Sequence, residues 1–456
     1  IPGLRFRKDF TMEPGSVVNI PIDTAAQIRS SGIAEKLGVH VVADHPVMVY
    51  GLDRRFQTTD TYIAYPTENL GSRYRAVCFR WLQNDLLSQF AVVATDDSTR
   101  VTIHPSATVM RFTIDTVAAE PRKLDSARLS MLLSNAKKRK APAPESRNRK
   151  KAKPDERANG AAEIRLRSSS VAYMPLTIKP LIMKPPTIYR HRGDVIPGDS
   201  ITIILNRGEV YQLIANYDPN SSCDLTGSLI ESDKPVALFS GHNCAYVPDP
   251  TLKACNQLVE QMPPIDTWGT SFNVGKFLGR SSCMVRVVAS EDSTAVYENG
   301  KKVATINAGR FHDNPNVTES IAITTSRPAL VAQYSKGFDN GDDVGDPMMI
   351  VIAPVEQYST SYRFTTPVRG NWYHYITIAA PARLRDSVRL NGALLADWLF
   401  RPVGDGTYYI GRAEVPYGAY VVSAPGSFGL YNYGFGYEDA AYDAYGNAGG
   451  YTFRRR

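Results

Sequence analysis

The amino-acid sequence predicts an all-β protein built as three tandem β-sandwich-like units, with a basic, partly helical or irregular insertion in the first. Three observations carry this reading. A polar turn ending in Pro and followed by a short apolar run is written repeatedly: VVADHPVMVYG at 41–51, GSLIESDKPVALFSGHN at 227–243, ITTSRPALVA at 323–332 and, degenerately, VSAPGSFGLY at 422–431. A second pattern alternates with it, in which a β-run meets an Asp-Ser turn and a second β-run returns: FAVVATDDSTRVTI at 90–103, VRVVASEDSTAVY at 285–297, and a weaker copy across 375–390. The third observation is composition, since 33 Gly, 30 Pro and 25 Tyr in 456 residues suit many turns and amphipathic rings on sheet surfaces. Internal repetition decides architecture before any single motif does.

Each element follows from local chemistry. Pro fixes φ and lacks a donor, so it is expected at the entry to a strand, not in its middle. The Val-, Leu-, Phe- and Tyr-rich run behind it is strand-forming. Asp and Ser side chains can bond their own backbone in the intervening turns. In residues 1–116, the first unit, strands are expected at 17–20, 39–42, 47–50, 62–65, 90–94 and 100–103, with one or two helical turns in 24–36. The second unit, 191–310, opens with β-runs at 201–205 and 210–213 around Asn206-Arg207-Gly208, a hairpin signal. A further hairpin is expected on Asn299-Gly300. The third unit, 311–456, ends in the Tyr-, Phe- and Gly-rich tail 428–451. That tail is either a last strand followed by a loop or an aromatic surface for a neighbour, with Tyr431, Tyr433, Tyr437, Tyr442 and Tyr445 as its contacts.

The insertion, 117–190, interrupts the repeat. Leu124, Leu129, Leu132 and Leu133 fall roughly on one helical face, and a Pro-broken basic stretch follows. Between Lys137 and Arg157 stand ten Lys or Arg and three Asp or Glu, a net +7 that equals the formal charge of the whole chain. The basicity is therefore local, and a nucleic-acid partner is not expected. Nuclear signal, polyanion patch and assembly arm are the three readings of Lys137, Lys138, Arg139, Lys140, Arg147, Arg149, Lys150, Lys151 and Lys153. Such a stretch cannot bury enough apolar surface to order itself alone.

Chemistry-bearing motifs are sparse. No nucleophile elbow, paired-His metalloprotease motif, phosphate loop or dinucleotide fingerprint occurs, so no enzyme and no cofactor is expected. Asp339, Asp342, Asp343 and Asp346 lie in one Gly-containing turn, which is either a weak Ca²⁺ candidate or a solvated turn. No run of 18 apolar residues is present, so no membrane span is expected. The sequence opens on Ile1, as expected after signal-peptide removal.

The blocks TGSLIESDKPVALFSGHNCAYVP, CNQLVEQMPPIDTWG, RVVASEDSTAV, LVAQYSKG, GDPMMIVIAPVEQY and FGLYNYGFGYEDAAYDAYG together resemble the IgG Fc-binding protein family, in its N-terminal domain. The resemblance runs through nearly the whole chain outside 117–190, and its longest block is 224–269. It implies a secreted, mucus- or surface-associated protein without catalysis, and a disulfide between Cys244 and Cys255; reduced buried thiols are the other reading of that pair. Of the five cysteines, Cys78, Cys223 and Cys283 then remain, and one is left over from any internal pairing. Two functions follow as expectations: a secreted surface protein that assembles with copies of itself through the insertion and tail, or an extracellular binding module for immunoglobulin, mucin or glycan.

Overall fold

Three long strands organise the molecule, and each runs through a corner. The computed structural model describes residues 1–55, 57–80, 86–110, 112–115, 188–191, 194–216 and 222–456. The chain divides into residues 1–113 with 191–456, and residues 114–190. Among the described residues there is no α-helix, only strands and short 3₁₀ turns.

The N-terminal part contributes β1 (Ala34–Glu35) and the hairpin β2 (Val49–Arg55) and β3 (Thr58–Ala64). Unit one follows with β4 (Gly71–Arg75), β5 (Ser88–Ala94) and β6 (Thr99–His104). The short pair β7 (Phe112–Asp115) and β8 (Ile188–His191) comes next. β9 (Ile201–Leu205), β10 (Val210–Ile214), the long β11 (Leu229–Ala245) and β12 (Asn256–Gln261) complete it. Unit two has β13 (Gly269–Val274), β14 (Cys283–Ala289), β15 (Thr294–Glu298), β16 (Lys301–Ile306), β17 (Phe311–Val317), the long β18 (Ile321–Ser335) and β19 (Met349–Ile352). Unit three has β20 (Ser359–Thr365), β21 (Trp372–Pro381), β22 (Arg389–Leu390), β23 (Ala393–Leu394), β24 (Phe400–Val403), β25 (Tyr408–Val415), the long β26 (Ala419–Gly436) and β27 (Ala444–Ala448).

In every unit the long strand serves two layers. The first half of β11 lies between β4 and β6, and its second half between β5 and β12. β18 does the same with β13 and β15, then β14 and β19. β26 repeats it with β20 and β22, then β21 and β27. The expected Pro therefore sits inside a strand, at the corner between layers, and not at a strand entry. Pro is tolerated there because the ladder slips: the register shifts between Glu231 and Val236, and the Asp233 carboxylate, not a backbone carbonyl, accepts the Arg100 N–H at 2.8 Å.

The Asp-Ser turns also work differently from expectation. Asp97 accepts the N–H of Arg207 and Asn206 accepts that of Ser98, so the turn docks on the Asn-Arg-Gly turn. Asp292 and Asn307 repeat this with Ala308 and Ser293 in unit two.

The sheets cut the chain at other places than 190/191 and 310/311. β9 to β11, in 201–245, share a sheet with β4 to β6, because the long strand that closes unit one comes after the insertion. Residues 311–335 likewise close unit two. The N-terminal segment differs too. Residues 17–20 and 39–42 are not strands, and 24–36 holds one 3₁₀ turn (Thr24–Ala26) and β1. Among the described residues no strand pairs with 17–20 or 39–42.

The last strands meet in the middle. β3 adjoins β12 and β27, and β19 adjoins β12 and β27, which closes a ring of four. Its interior is polar: Asp60, Asn256 and Glu260 are all buried. The Asn256 amide donates to the carbonyls of Thr59 (3.0 Å) and Pro347 (2.9 Å) and accepts from Thr59 N–H (3.1 Å).

Units one and two are further joined by Arg286, which is 1 % exposed. Its guanidinium pairs with Asp224 at 2.8 Å and, in a fork, with Asp313 at 2.7 and 2.8 Å, and donates to the Cys78 carbonyl at 3.0 Å. It stacks 3.8 Å from the Phe311 ring centre. Removing one member of such a buried set strands the others. Arg286→Met is expected to lower unfolding free energy by about 3–5 kcal/mol in denaturant titration.

Burial, reinforced by neighbouring Asp60, pushes the Glu260 carboxyl well above the usual range. An acid with a raised folded pKa binds more protons folded than unfolded, so its contribution to stability falls as pH rises from about 4 through that raised value. Glu260→Gln keeps an acceptor for Val351 N–H. The variant is expected to gain stability relative to the parent between pH 5 and pH 8, measured by unfolding at both.

Candidate functional site

The connection from each long strand to the following last strand is irregular, and the three connections gather at one pole. The first, 246–254, is closed at its base by a disulfide between Cys244 and Cys255, with Cα atoms 5.1 Å apart. The second, 336–348, holds the acidic turn, and the third, 437–443, follows β26. Gly337 N–H donates to the Val247 carbonyl at 3.0 Å and Asp339 N–H to that of Lys253 at 2.5 Å, joining the first two. Gly345 N–H donates to the Gly436 carbonyl at 3.1 Å, and the Phe338 and Tyr442 rings stand 4.5 Å apart, joining the second and third.

Arg280, from the connection between β13 and β14, fixes the pole from below. Its guanidinium donates to the carbonyls of Val344 and Lys336, the latter at 2.6 Å, and lies 5.3 Å from the Phe435 ring centre. Its Nε stands 3.3 Å from the Asp342 carboxylate, which also accepts from Asn340 at 2.7 Å and from Ser281 N–H at 3.0 Å. Asp346 is buried and accepts the Phe338 N–H at 3.2 Å. Its carboxyl is pushed well above the usual range by burial.

The four aspartates thus have separate fates. Asp342 is engaged by an arginine, Asp346 faces inward, and Asp339 and Asp343 are exposed. Among the described residues no group of three or more His, Cys, Asp or Glu stands close enough to hold a metal ion. What the pole offers solvent is chiefly carboxylate, Asp339, Asp343, Glu438 and Asp439, with Tyr442 at 38 % exposure and Lys253 exposed in the first connection.

The aromatic tail is a correction to the surface reading. Tyr431, Tyr433 and Tyr445 are core residues. β26 and β27 pair along their length, which turns these rings inward, and their hydroxyls are spent on internal partners. Tyr431 accepts from Gly275 N–H, Tyr433 from Leu278 N–H at 2.7 Å, and Tyr445 meets His374 at 2.8 Å. Tyr437 is half-buried, which leaves Tyr442 as the exposed member. The basic residues Lys137, Lys138, Arg139, Lys140, Arg147, Arg149, Lys150, Lys151 and Lys153 lie outside the described residues.

Sequence reasoning missed Arg280, and it met His242 only as a residue after a strand with no catalytic motif around it. His242 is buried, accepts the Cys244 N–H at 3.1 Å beside the disulfide, and is held down to about 4 by burial. Its only sequence signal is its place at the end of the apolar run. Cys78, Cys223 and Cys283 are buried, and burial pushes the thiols of Cys78 and Cys283 up to about 12 and about 11.

The three connections thus form one loop surface on a β-scaffold. The family model described as IgGFc binding protein matches residues 60–124 and 177–434, and the chain belongs to that family. A human protein named IgGFc-binding protein is 29% identical over 171 residues, covering 36% of this chain and 3% of that protein. The chain therefore spans only a small fraction of that relative. No solved structure matches. No helix among the described residues is long and apolar enough to cross a membrane.

Closing the first connection removes chain entropy from the unfolded state. Cys244→Ser with Cys255→Ser is expected to lower stability by about 2–3 kcal/mol in denaturant titration.

Proposed function

We propose that this chain is an extracellular, non-enzymatic binding module whose contact surface is the loop pole, and whose ligand is a glycoprotein of the immunoglobulin or mucin class. The observation that carries the reading is the joining of three otherwise unrelated connections into one fixed surface by the Cys244–Cys255 bond, the Gly345–Gly436 contact and Arg280. Loops held on a rigid scaffold are the usual place for recognition, and little ordering entropy is lost when such loops bind. Family membership supports the same class of activity.

Charge narrows the ligand. Four exposed carboxylates outweigh the one exposed lysine, Lys253, so the surface repels sialylated or sulfated glycan and favours a polypeptide surface bearing Lys or Arg. The Fc portion of immunoglobulin G is the first partner to test. Assembly with copies of itself draws less support, because three of its five tail tyrosines are core residues.

The test is biolayer interferometry against immobilised Fc and against mucin, at low and at physiological salt. The expected result is Fc binding that weakens with salt. Asp339→Asn, Asp343→Asn, Glu438→Gln and Asp439→Asn combined are expected to slow association about tenfold. Binding that ignores these four changes would remove the pole from consideration, and absence of Fc binding would remove that partner.

A further inference from the structure

The ring of last strands has four members, but only three complete units supply them. β12, β19 and β27 close units one, two and three, and β3 occupies the fourth place. The hairpin β2–β3 repeats the closing geometry of the others in register. Four residues after the corner Pro, Tyr50 faces Ile63 three residues before Pro66; Phe239 faces Gln261 three before Pro264; Ala332 faces Val351 three before Pro354. Residues 38–64 are therefore the closing half of a fourth unit.

The junction to the next unit is repeated as well. Gly38 donates its N–H to the Gly208 carbonyl at 3.0 Å, and an added Cβ at Gly38 would lie 2.8 Å from that oxygen. Gly227, at the same distance before its corner Pro, would meet the Gly309 carbonyl at 1.9 Å. Only glycine permits both approaches. Gly208 and Gly309 are themselves equivalent, donating to Ala94 and Ala289 at the ends of β5 and β14.

What the fourth unit lacks is the strand on the other side of its long strand. β11 is flanked there by β5 over Val236–His242, and β18 by β14 over Ala329–Ser335. β2 pairs with β3 alone among the described residues. Its flank is apolar and wet: Val47 is 42 % exposed where its counterpart Val236 is 0 %, and Val41 is 45 % exposed where Ile230 is 0 %. An open, apolar strand edge is a template for another strand.

We propose that the open edge of β2 is an acceptor for a β-hairpin of the β5–β6 kind from another polypeptide segment. The hairpin is an apolar, Val- and Phe-rich strand, an acidic Ser-containing turn and a returning strand, laid antiparallel to residues 47–53. Its form is dictated by what fills this place in the complete units. A second copy of this chain is not the donor, because its own hairpins of this kind are already seated between their long strands. The proposal is independent of the ligand proposed for the loop pole.

The test uses the full chain and a synthetic peptide of sequence 87–105, LSQFAVVATDDSTRVTIHP, with a scrambled peptide as control. Hydrogen exchange of amides in 47–53 is followed with and without peptide. Rapid exchange in the free protein and at least tenfold protection by the peptide, not by its scramble, are expected. Val47→Lys, a change at an exposed position, is expected to weaken peptide binding at least tenfold while leaving the unfolding transition in place. Three results would overturn the proposal: no protection by the peptide, protection of these amides in the free monomer by the chain's own residues, or protection that appears with protein concentration alone.

Discussion

The carboxyl group of Asp60 stands where the four last strands meet, and the arrangement of units depends on what it satisfies. Strands that converge end-on cannot all complete one another's ladders, so backbone N–H groups are left pointing into a dry centre. Asp60 accepts from Val259 at 2.9 Å and from Thr61 at 2.8 Å, and the backbone of Met349 and Gly446 also favours its charged form. Its hydrogen-bond donors come from β12 and β3, and backbone of β19 and β27 acts on it as well, so every member of the ring bears on this carboxyl. Burial nonetheless raises its carboxyl well above the usual range. A small acceptor with several lone-pair sites is the economical answer to this geometry; a larger apolar side chain would leave each N–H unpaired.

Around that centre the units differ in how they are fastened. Units one and two share the Arg286–Asp224 pair, both side chains 1 % exposed, with the guanidinium held in unit two by its fork to the partly exposed Asp313. Units two and three share neutral bonds to tyrosine hydroxyls, Gly275 N–H to Tyr431 and Leu278 N–H to Tyr433, within a cluster of rings. The fourth place is fastened through Asn256 and the glycine approach at Gly38. Three solutions to one junction explain why the sandwiches look alike in sequence while the residues between them do not.

The same ring places the loop pole. A last strand must follow its long strand antiparallel, so each connection between the two emerges at the same end of its unit. Where last strands gather, their connections gather too, and the disulfide loop, the acidic turn and the third connection come together as a consequence of packing at the centre. The acidity of the pole is then a property of two loops from two units, 336–348 and 437–443, and neither carries it alone.

The sequence by itself determined the class of fold and its repetition. The Pro-corner phrase and the Asp-Ser phrase are local patterns of turn chemistry and apolar runs, and they survive in each copy because each sandwich needs them. It also placed the strands around residues 90–103, 201–213 and 299–300, where alternation and turn residues agree. Only the tertiary structure decided where one unit ends, since a repeat fixes a period and leaves its phase open; β11 is recruited across the insertion to close unit one. It also decided that Tyr431, Tyr433 and Tyr445 are core, because inward and outward faces of a strand are told apart by what lies over them. For the same reason residues 39–42 and 47–48 read as strand yet are not, and among the described residues no strand pairs with them. Arg280, Arg286 and Asp60 were illegible as well: each is a lone charge in the sequence, and its partners, apart from neighbouring Thr61, lie from 25 to 208 residues away, brought near only by packing.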